Sequence, residues 1–335
     1  MTGNNFSTID STERYPWHKA LWSTLERQFD RLPHALLLRG RPGLGKHAFA
    51  VQLAQALLCD QPQRGVACGT CHGCMLFSVG NHPDFSGIGL VEDAKIIAID
   101  QIRALGDFLS LRPHTARHKV VLISPAEAMN LNAANSLLKL LEEPPLGSIL
   151  LLVANHPARL PATVRSRCSH LLFKSPAREV GLAWLQSRAA VPDKPEILLE
   201  IAGGAPLLAE SLGQEGISEK QIKLFQDLDG LRRGRDEPVA CAARWKGLGT
   251  KLCLGWLYGF VSDLIKGHLA GQQSERVASE AVAHLKDGKN KYKISELYSF
   301  IDIIHERYRQ LGSSLDELLM LEDILIRWTR LSRLQ

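Results

Sequence analysis

The chain has 335 residues, a formal net charge of +5 and a sequence isoelectric point near 8.8. Hydrophobic residues make up 45% of it and charged residues 22%, which excludes a disordered or fibrous protein and suits two or three packed domains. The charge is compatible with a nucleic-acid or acidic partner but is too small for a strongly basic binding domain. We therefore interpret two short basic runs as solvated loops: Arg232, Arg233 and Arg235, and Lys286, Lys289, Lys291 and Lys293.

The sequence also bears on the compartment. Residues 1–13 are polar and lack the apolar core of a signal peptide, and no stretch approaches the roughly 20 apolar residues of a membrane span. We expect a cytoplasmic protein that does not bind membranes. In that compartment seven cysteines, three of them clustered, favour metal binding over disulfide bonds.

Strands and helices alternate along the first half of the chain. An apolar run at residues 34–39 predicts a strand, which leads into a glycine-rich loop at 40–45 and then a helix. A short strand is predicted at residues 84–89, and further strands at 119–123 and 148–153, where continuous apolar runs are typical of a buried parallel sheet.

Helices are predicted between these strands. Asp100 is expected to cap one that carries Ile102, Leu105 and Leu109, and Pro144-Pro145 ends a longer one. The alternation predicts a doubly wound α/β domain over residues 1–175. Beyond it the strand signal disappears, and we expect a small helical lid at 176–212 and an all-helical domain at 213–335.

The glycine loop matches the Walker A phosphate-binding pattern up to its last position. Gly40, Gly43 and Gly45 would let backbone amides converge on phosphate, and Lys46 would add a point charge. His47 stands where a serine or threonine hydroxyl would coordinate magnesium. The residues fit either weak binding of ATP or ADP or an empty pocket whose turn alone is retained.

The second half of a hydrolytic site should be a carboxylate pair at the end of a buried strand. Here the strand at 119–123 ends in Ser124-Pro125, and Glu127 is interpreted as a charge in the first turn of the next helix. Loss of both the hydroxyl and the carboxylates disfavours hydrolysis by this chain.

Four cysteines have the spacing of a closed structural zinc site. Cys68, Cys71 and Cys74 are separated by two residues each, and Cys59 ends the preceding helix. His72 is an alternative ligand to Cys59, with poorer geometry because Cys71 adjoins it. An iron–sulfur cluster is the rival, but its usual closing Cys-Pro pair is absent.

Two glycines are expected to ease the tight turns of the cysteine segment, namely Gly69 and Gly73. The remaining cysteines are isolated, and burial as small apolar residues is the prediction for Cys168, Cys241 and Cys253.

Taken in order, these segments resemble the delta-prime subunits of bacterial DNA polymerase III clamp loaders, which are members of the AAA+ family. The resemblance covers residues 15 to about 175 and is weaker in the helical remainder. The matching motifs are Tyr15-Pro-Trp17, the run at 34–38, the glycine loop, the four cysteines, His82-Pro-Asp-Phe85, the stretch 135–145 and Ser166-Arg167-Cys168.

The resemblance implies a subunit that does not hydrolyse ATP itself. Arg167 would project toward nucleotide on a neighbouring subunit, whereas without the family it would be a surface or salt-bridged arginine, as Arg165 is still expected to be. The implied partners are gamma/tau-type ATPase subunits, the delta subunit, the sliding clamp and primer–template DNA. The last domain would form part of a collar, and the 203–208 segment lacks the lid arginine that senses γ-phosphate in hydrolysing relatives.

Two alternatives are kept. A gamma-type motor subunit shares the fold, the zinc module and the arginine, but needs the missing magnesium ligands. A zinc-dependent DNA-binding module would need basic residues around the cysteines, where Arg64 is the nearest.

Overall fold

The computed structural model describes residues 14–63, 65–90, 94–188, 195–270, 293–311 and 315–333. The sequence-based predictions for residues 1–13 and for Arg64, Lys286, Lys289 and Lys291 lie outside these ranges. Within them, no helix combines the length and apolar character needed to cross a membrane.

The chain divides into two compact units. One contains Met1–Ser187 and Ala202–Leu208, and the other contains Arg188–Ile201 and Ala209–Gln335. The division into domains at residues 175 and 212 stays a prediction.

A five-stranded parallel sheet forms the centre of the first unit, with the strand order β2-β3-β4-β1-β5. Leucine, valine and isoleucine fill the middle strands, which are buried along nearly their whole length, as expected for a sheet covered on both faces. The strands are β1 (Ala35–Arg39), β2 (Phe85–Ile88), β3 (Lys119–Ile123), β4 (Ser148–Ala154) and β5 (Ser169–Leu172).

The first four strands confirm the predicted doubly wound α/β organisation. β5 was not predicted. It lies at the sheet edge, where only Leu171 of its residues is buried, and so it has no continuous apolar run to reveal it.

Helices connect the strands of the first unit. The prediction that Asp100 caps the fourth of them is wrong, because that helix begins one residue earlier and the Gln101 side chain accepts a hydrogen bond from the Ala98 amide at 2.9 Å. Asp100 instead pairs with Arg103 at 3.3 Å in the first turn. The helices are α1 (Lys19–Glu26), α2 (Lys46–Leu58), α3 (His72–Ser78), α4 (Ile99–Ser110), α5 (Leu131–Glu142), α6 (Ala162–Arg165) and α7 (Arg178–Gln186).

The described part of the second unit is helical, which confirms the all-α prediction for the remainder of the chain. Its core combines aliphatic side chains with aromatic ones, of which Trp245 and Trp328 are fully buried. The helices are α8 (Pro195–Ile201), α9 (Pro206–Gln214, which begins in the first unit), α10 (Ile217–Arg232), α11 (Pro238–Leu248), α12 (Thr250–Ala270), α13 (Ile294–Gln310) and α14 (Glu317–Arg333).

The interpretation of this basic run as a solvated loop is wrong for Arg232, which is the last residue of α10 and pairs with Asp229 at 2.7 Å. It is confirmed for Arg233 and Arg235, which are exposed in the turn that follows the helix. Arg233 also pairs with Asp229 at 2.7 Å, four residues earlier in the chain.

Asp84 fixes the loop that leads into β3. Its fully buried carboxylate accepts hydrogen bonds from the amides of His114, Thr115 and Ala116 at 2.7 to 2.9 Å, and Lys119 lies 3.5 Å away. Burial alone would raise the pKa of Asp84, but these amides and the ammonium group lower it to about 2. The ionised carboxylate therefore stabilises the fold.

We predict that Asp84→Asn lowers the free energy of unfolding by about 2–4 kcal/mol at pH 7, because the amide side chain places donors against donors. Since the folded pKa is depressed, the contribution of Asp84 is complete above its unfolded pKa near 4 and is lost as the pH falls toward 2. In urea titrations, the difference in free energy of unfolding between wild type and variant should become smaller from pH 5 to pH 3. A gap that does not change over this range would contradict the assignment.

Candidate functional site

The glycine loop occupies the predicted place between a strand and a helix. It leaves the carboxyl end of β1 after Arg39 and enters α2 at Lys46. Gly43 and Gly45 adopt the left-handed region, with φ of 74° and 78°. The turn of a phosphate loop is thus present.

Lys46 is turned back onto its own loop. Its side chain is buried, and Nζ donates a hydrogen bond to the Arg41 carbonyl at 2.5 Å. Burial lowers the pKa of Lys46 to about 8, although the carboxylate of Glu127 acts in the opposite direction. The lysine remains largely charged at neutral pH, and its ammonium group donates a hydrogen bond to a backbone carbonyl.

Aromatic residues cover one side of the loop. The Leu44 carbonyl accepts hydrogen bonds from Trp17 Nε1 at 3.1 Å and His18 Nε2 at 2.7 Å. Burial lowers the pKa of His18 to about 4, so the ring is neutral at pH 7, and the contact with a carbonyl requires its proton on Nε2. A Cβ atom at Gly45 would lie 2.6 Å from the ring of Tyr15, which leaves no room for a larger residue there.

Leucines cover another part of the loop. The Leu207 amide donates to the Gly43 carbonyl at 3.1 Å, and a Cβ atom at Gly43 would overlap Leu208. Gly203 lies against the guanidinium group of Arg41. Leu207, Leu208 and Gly203 belong to the 203–208 segment, which lacks the lid arginine of hydrolysing relatives. Leucines, not an arginine, therefore contact the glycine loop from this segment.

His47 and Ser124 meet where the magnesium ligands of a hydrolytic site would be expected. His47 Nδ1 lies 3.1 Å from Ser124 Oγ, so the imidazole and the hydroxyl are joined by a hydrogen bond. His47 is solvent-exposed, and partial desolvation by its surroundings lowers its pKa. The imidazole replaces the loop hydroxyl, and Ser124 stands where the carboxylate ligand of a hydrolytic site would be expected.

Glu127 has a role that the sequence did not indicate. It lies in a short helical turn at Ala126–Ala128, as predicted for a first-turn charge, and its Oε1 accepts the amides of Asn155 at 2.9 Å and His156 at 3.0 Å. It therefore ties the segment after β3 to the end of β4 and acts electrostatically on Lys46.

The four predicted cysteines converge. The sulfur atoms of Cys59, Cys68, Cys71 and Cys74 all lie within 4.8 Å of one another, with Cys59 Sγ at 3.5 Å from Cys68 Sγ and 3.8 Å from Cys71 Sγ. Tetrahedral coordination with Zn–S bonds of about 2.3 Å requires sulfur–sulfur distances of about 3.8 Å. The cluster therefore fits a structural zinc ion, and His72 is not part of it among the residues that the structure describes.

Backbone amides surround the sulfur atoms. The Cys68 amide points to Cys59 Sγ at 3.3 Å, and those of Cys71 and Cys74 point to the preceding cysteine sulfur at 3.4 Å. Amides of Thr70 and Cys71 lower the pKa of Cys68 to about 6, whereas burial raises the pKa of Cys59. Such donors favour thiolates, the form that binds metal.

The two glycines of this segment serve different purposes. Gly69 has φ of 78°, as expected for a tight turn. Gly73 is required for a different reason, because a Cβ atom there would lie 2.6 Å from the Leu58 carbonyl oxygen at the end of α2. The close approach lets α3 pack beside α2.

The isolated cysteines are mostly buried, as predicted. Cys241 and Cys253 are inaccessible to solvent in the helical core, and burial raises their pKa values to about 11 and 12. Cys168 is only partly buried and packs beside the core of the first unit.

Arg167 lies on the surface between α6 and β5. Its Nη2 atom lies 2.6 Å from Glu142 Oε1, and Nη1 donates to the Thr163 carbonyl at 3.1 Å. The side chain retains 37% of its exposure. Nearby Arg165 is partly buried, and its Nε has no hydrogen-bond partner among the described residues.

Arg167 and the glycine loop lie at opposite ends of the parallel strands, which we call the amino edge and the carboxyl edge of the sheet. Leu36 of β1 pairs with Ser169, the first residue of β5, so Arg167 precedes the amino ends of the strands. The glycine loop follows the carboxyl ends of the strands. At roughly 3.3 Å per residue, the backbone at Gly40 is about 13 Å from the backbone at Leu36, beside which β5 begins. The structure therefore does not bring these predicted site residues together within one chain.

Comparison with known proteins identifies the family of the chain. A family model for the DNA polymerase III delta subunit matches residues 17–177, and a model for its C-terminal part matches residues 217–330. The DNA polymerase III subunit delta' of Pseudomonas aeruginosa is 34% identical over 95% of this chain and 98% of its own length. That of Escherichia coli is 29% identical over 93% of this chain and 94% of its own length.

A crystal structure of a DNA polymerase III gamma subunit-related protein from Thermotoga maritima has the same fold. It matches with a TM-score of 0.51 at 20% identity and covers 93% of this chain and 99% of its own. This confirms the predicted fold class, a P-loop-type α/β domain followed by helices. With the match to the delta-prime sequences, the chain belongs to the delta-prime subunit family of DNA polymerase III.

Proposed function

We propose that this chain is the non-hydrolysing subunit of a bacterial sliding-clamp loader and donates Arg167 to ATP bound by a neighbouring subunit. The observation that carries the proposal is the separation of Arg167 and the glycine loop at opposite edges of one sheet. An arginine at the amino edge has no access to its own loop but can reach a nucleotide held by the carboxyl edge of an adjacent subunit.

The partners follow from the family. They are the gamma/tau-type ATPase subunits, the delta subunit, the sliding clamp and primer–template DNA, all in a cytoplasmic complex. We propose the segment 176–212 as a lid and 213–335 as the collar domain that joins the subunits. The collar assignment is supported by the helical core around Trp245 and Trp328, which gives the last third its own packing.

The glycine loop is proposed to serve as a structural turn. Three features support this: the Lys46 ammonium group bonds its own loop, His47 bonds Ser124, and Tyr15 lies against Gly45. Hydrolysis needs a metal and charge-stabilising groups aimed at the γ-phosphate. Each of these groups is either replaced or engaged elsewhere, so neither ATP nor ADP is needed for this subunit's role.

We predict that Lys46→Ala leaves ATP turnover by the assembled loader unchanged, because the neighbouring subunits hydrolyse the nucleotide. ATP hydrolysis by the purified chain that disappears in this variant would favour the gamma-type motor instead. The measurement is steady-state phosphate release by the chain alone and by the loader.

Gly45→Ala should lower the free energy of unfolding by about 1–3 kcal/mol. The alanine would have to adopt a left-handed backbone conformation, and its Cβ would clash with the ring of Tyr15. Gly106→Ala in α4 is the matched control, since its Cβ meets no atom within 4 Å, and it should be neutral or stabilising by up to about 1 kcal/mol. Urea titrations of both variants make the comparison. Equal stabilities would remove the structural role of the loop.

Arg167 suits phosphoryl transfer because a planar guanidinium group can bond two γ-phosphate oxygens while charge develops on them. We predict that Arg167→Ala lowers clamp- and DNA-stimulated ATP turnover of the reconstituted loader by at least roughly tenfold. Arg167→Lys should recover only part of it, because ammonium lacks the fork. Arg178→Ala, an exposed arginine at the start of α7, is the charge-matched control. Undiminished turnover in Arg167→Ala would remove Arg167 from the mechanism.

We propose that Cys59, Cys68, Cys71 and Cys74 bind one structural zinc ion. The sulfur–sulfur distances and the surrounding amides support it. With four thiolates the site would be closed, so zinc would stabilise the segment between α2 and α3 without taking part in chemistry.

Elemental analysis should therefore find one zinc per chain, and Cys74→Ser should abolish it while Cys168→Ser, outside the cluster, retains it. Chelation should lower the melting temperature by at least about 5 °C. Verified metal removal without a change in melting would contradict the structural role.

A DNA-binding role for the cysteine module receives no support from its described surface. The exposed side chains there include Met75 and Val79, which are apolar and carry no charge for phosphate.

A further inference from the structure

Glu142 makes the shortest contact of Arg167. The carboxylate Oε1 lies 2.6 Å from Nη2, while the Thr163 carbonyl accepts from Nη1 at 3.1 Å. The guanidinium group is therefore held by the end of α5 on one side and by α6 on the other. Two of its five N–H donors account for these contacts, and the side chain is still 37% exposed.

The position of Glu142 is unfavourable for the helix that carries it. It is the last residue of α5, where the helix dipole presents negative charge, and an acidic residue there is disfavoured. The half-exposed pair with Arg167 adds little to folding stability, since such pairs are screened by water. Neither the helix dipole nor the ion pair therefore explains a carboxylate at position 142 in terms of folding stability.

We propose that Glu142 is a positioning residue for Arg167: with the Thr163 carbonyl it fixes one edge of the guanidinium group and leaves the other edge for the γ-phosphate of a neighbouring subunit. This inference rests on the proposed function. A free arginine side chain has many rotamers and loses conformational entropy when it is fixed against a phosphate. If its rotamers are already restricted before assembly, this entropy is not lost in the catalytic step. Only donors that are not used by Glu142 and Thr163 need face the nucleotide.

The reverse role, a carboxylate that blocks the arginine, is disfavoured by the same contacts. Blocking would require Glu142 to occupy the exposed donors, yet it bonds one nitrogen while the side chain keeps access to solvent. The two roles predict opposite signs. Removal of a positioning group slows turnover, and removal of a blocking group speeds it.

The test is clamp- and DNA-stimulated ATP turnover by the reconstituted loader carrying variants of this subunit. Glu142→Ala should lower kcat by about three- to tenfold with little change in the KM for ATP, because nucleotide binds the neighbour. Glu142→Gln should retain most of the activity, since its amide oxygen still accepts from Nη2. In an Arg167→Ala background, Glu142→Ala should cause no further loss, because both act through one group.

Glu143→Ala is the matched control. It removes a neighbouring exposed carboxylate with the same change in net charge, and in the described part of the chain no ion pair is recorded for it. It should keep wild-type turnover. All variants are first matched for melting temperature and zinc content, so that a general folding defect is recognised.

The outcomes separate the two proposals. If Arg167→Ala is defective while Glu142→Ala is not, or if the two losses add, the positioning role is overturned and the trans arginine stands. Faster turnover in Glu142→Ala would identify a blocking carboxylate and also overturn it. Undiminished turnover in Arg167→Ala would overturn the proposed function itself.

Discussion

The parallel sheet is the constraint on which the rest of the structure depends. All strands point the same way, so the segments that follow them collect at one edge and the segments that precede them collect at the other. The glycine loop after β1 belongs to the first edge, and Arg167 before β5 belongs to the second. The proposed action of Arg167 on a nucleotide held by a second subunit is consistent with this separation.

The two edges also differ in how fully their side chains are engaged by contacts within the chain. At the carboxyl edge the chain satisfies its own groups: Lys46 donates to a backbone carbonyl, His47 bonds Ser124, and Glu127 accepts amides at the end of β4. At the amino edge Arg167 keeps an exposed side chain on a defined support. Among the described residues, the loop lysine and histidine at the carboxyl edge are engaged within the chain and Arg167 at the amino edge is partly exposed, which is consistent with the proposal that this subunit assists a neighbour's reaction.

Patterns in the sequence predicted the features that arise from local order. Continuous apolar runs predicted three of the strands, glycine spacing predicted the loop, and cysteine spacing predicted the sulfur cluster. Features set by tertiary contact were not predictable in this way. β5 has one buried residue and depends on pairing with β1, the α4 cap comes from Gln101 rather than Asp100, and Glu142 is far from Arg167 along the chain.

Our central proposal is that Arg167 acts on a nucleotide bound by a neighbouring subunit. The most direct measurement is a structure of the reconstituted loader with clamp, primed DNA and a γ-phosphate transition-state analogue. The account predicts the Arg167 guanidinium within about 3 Å of the analogue on the adjacent subunit, still supported by Glu142 and Thr163. An Arg167 that lies beyond hydrogen-bonding reach of every bound nucleotide would contradict it.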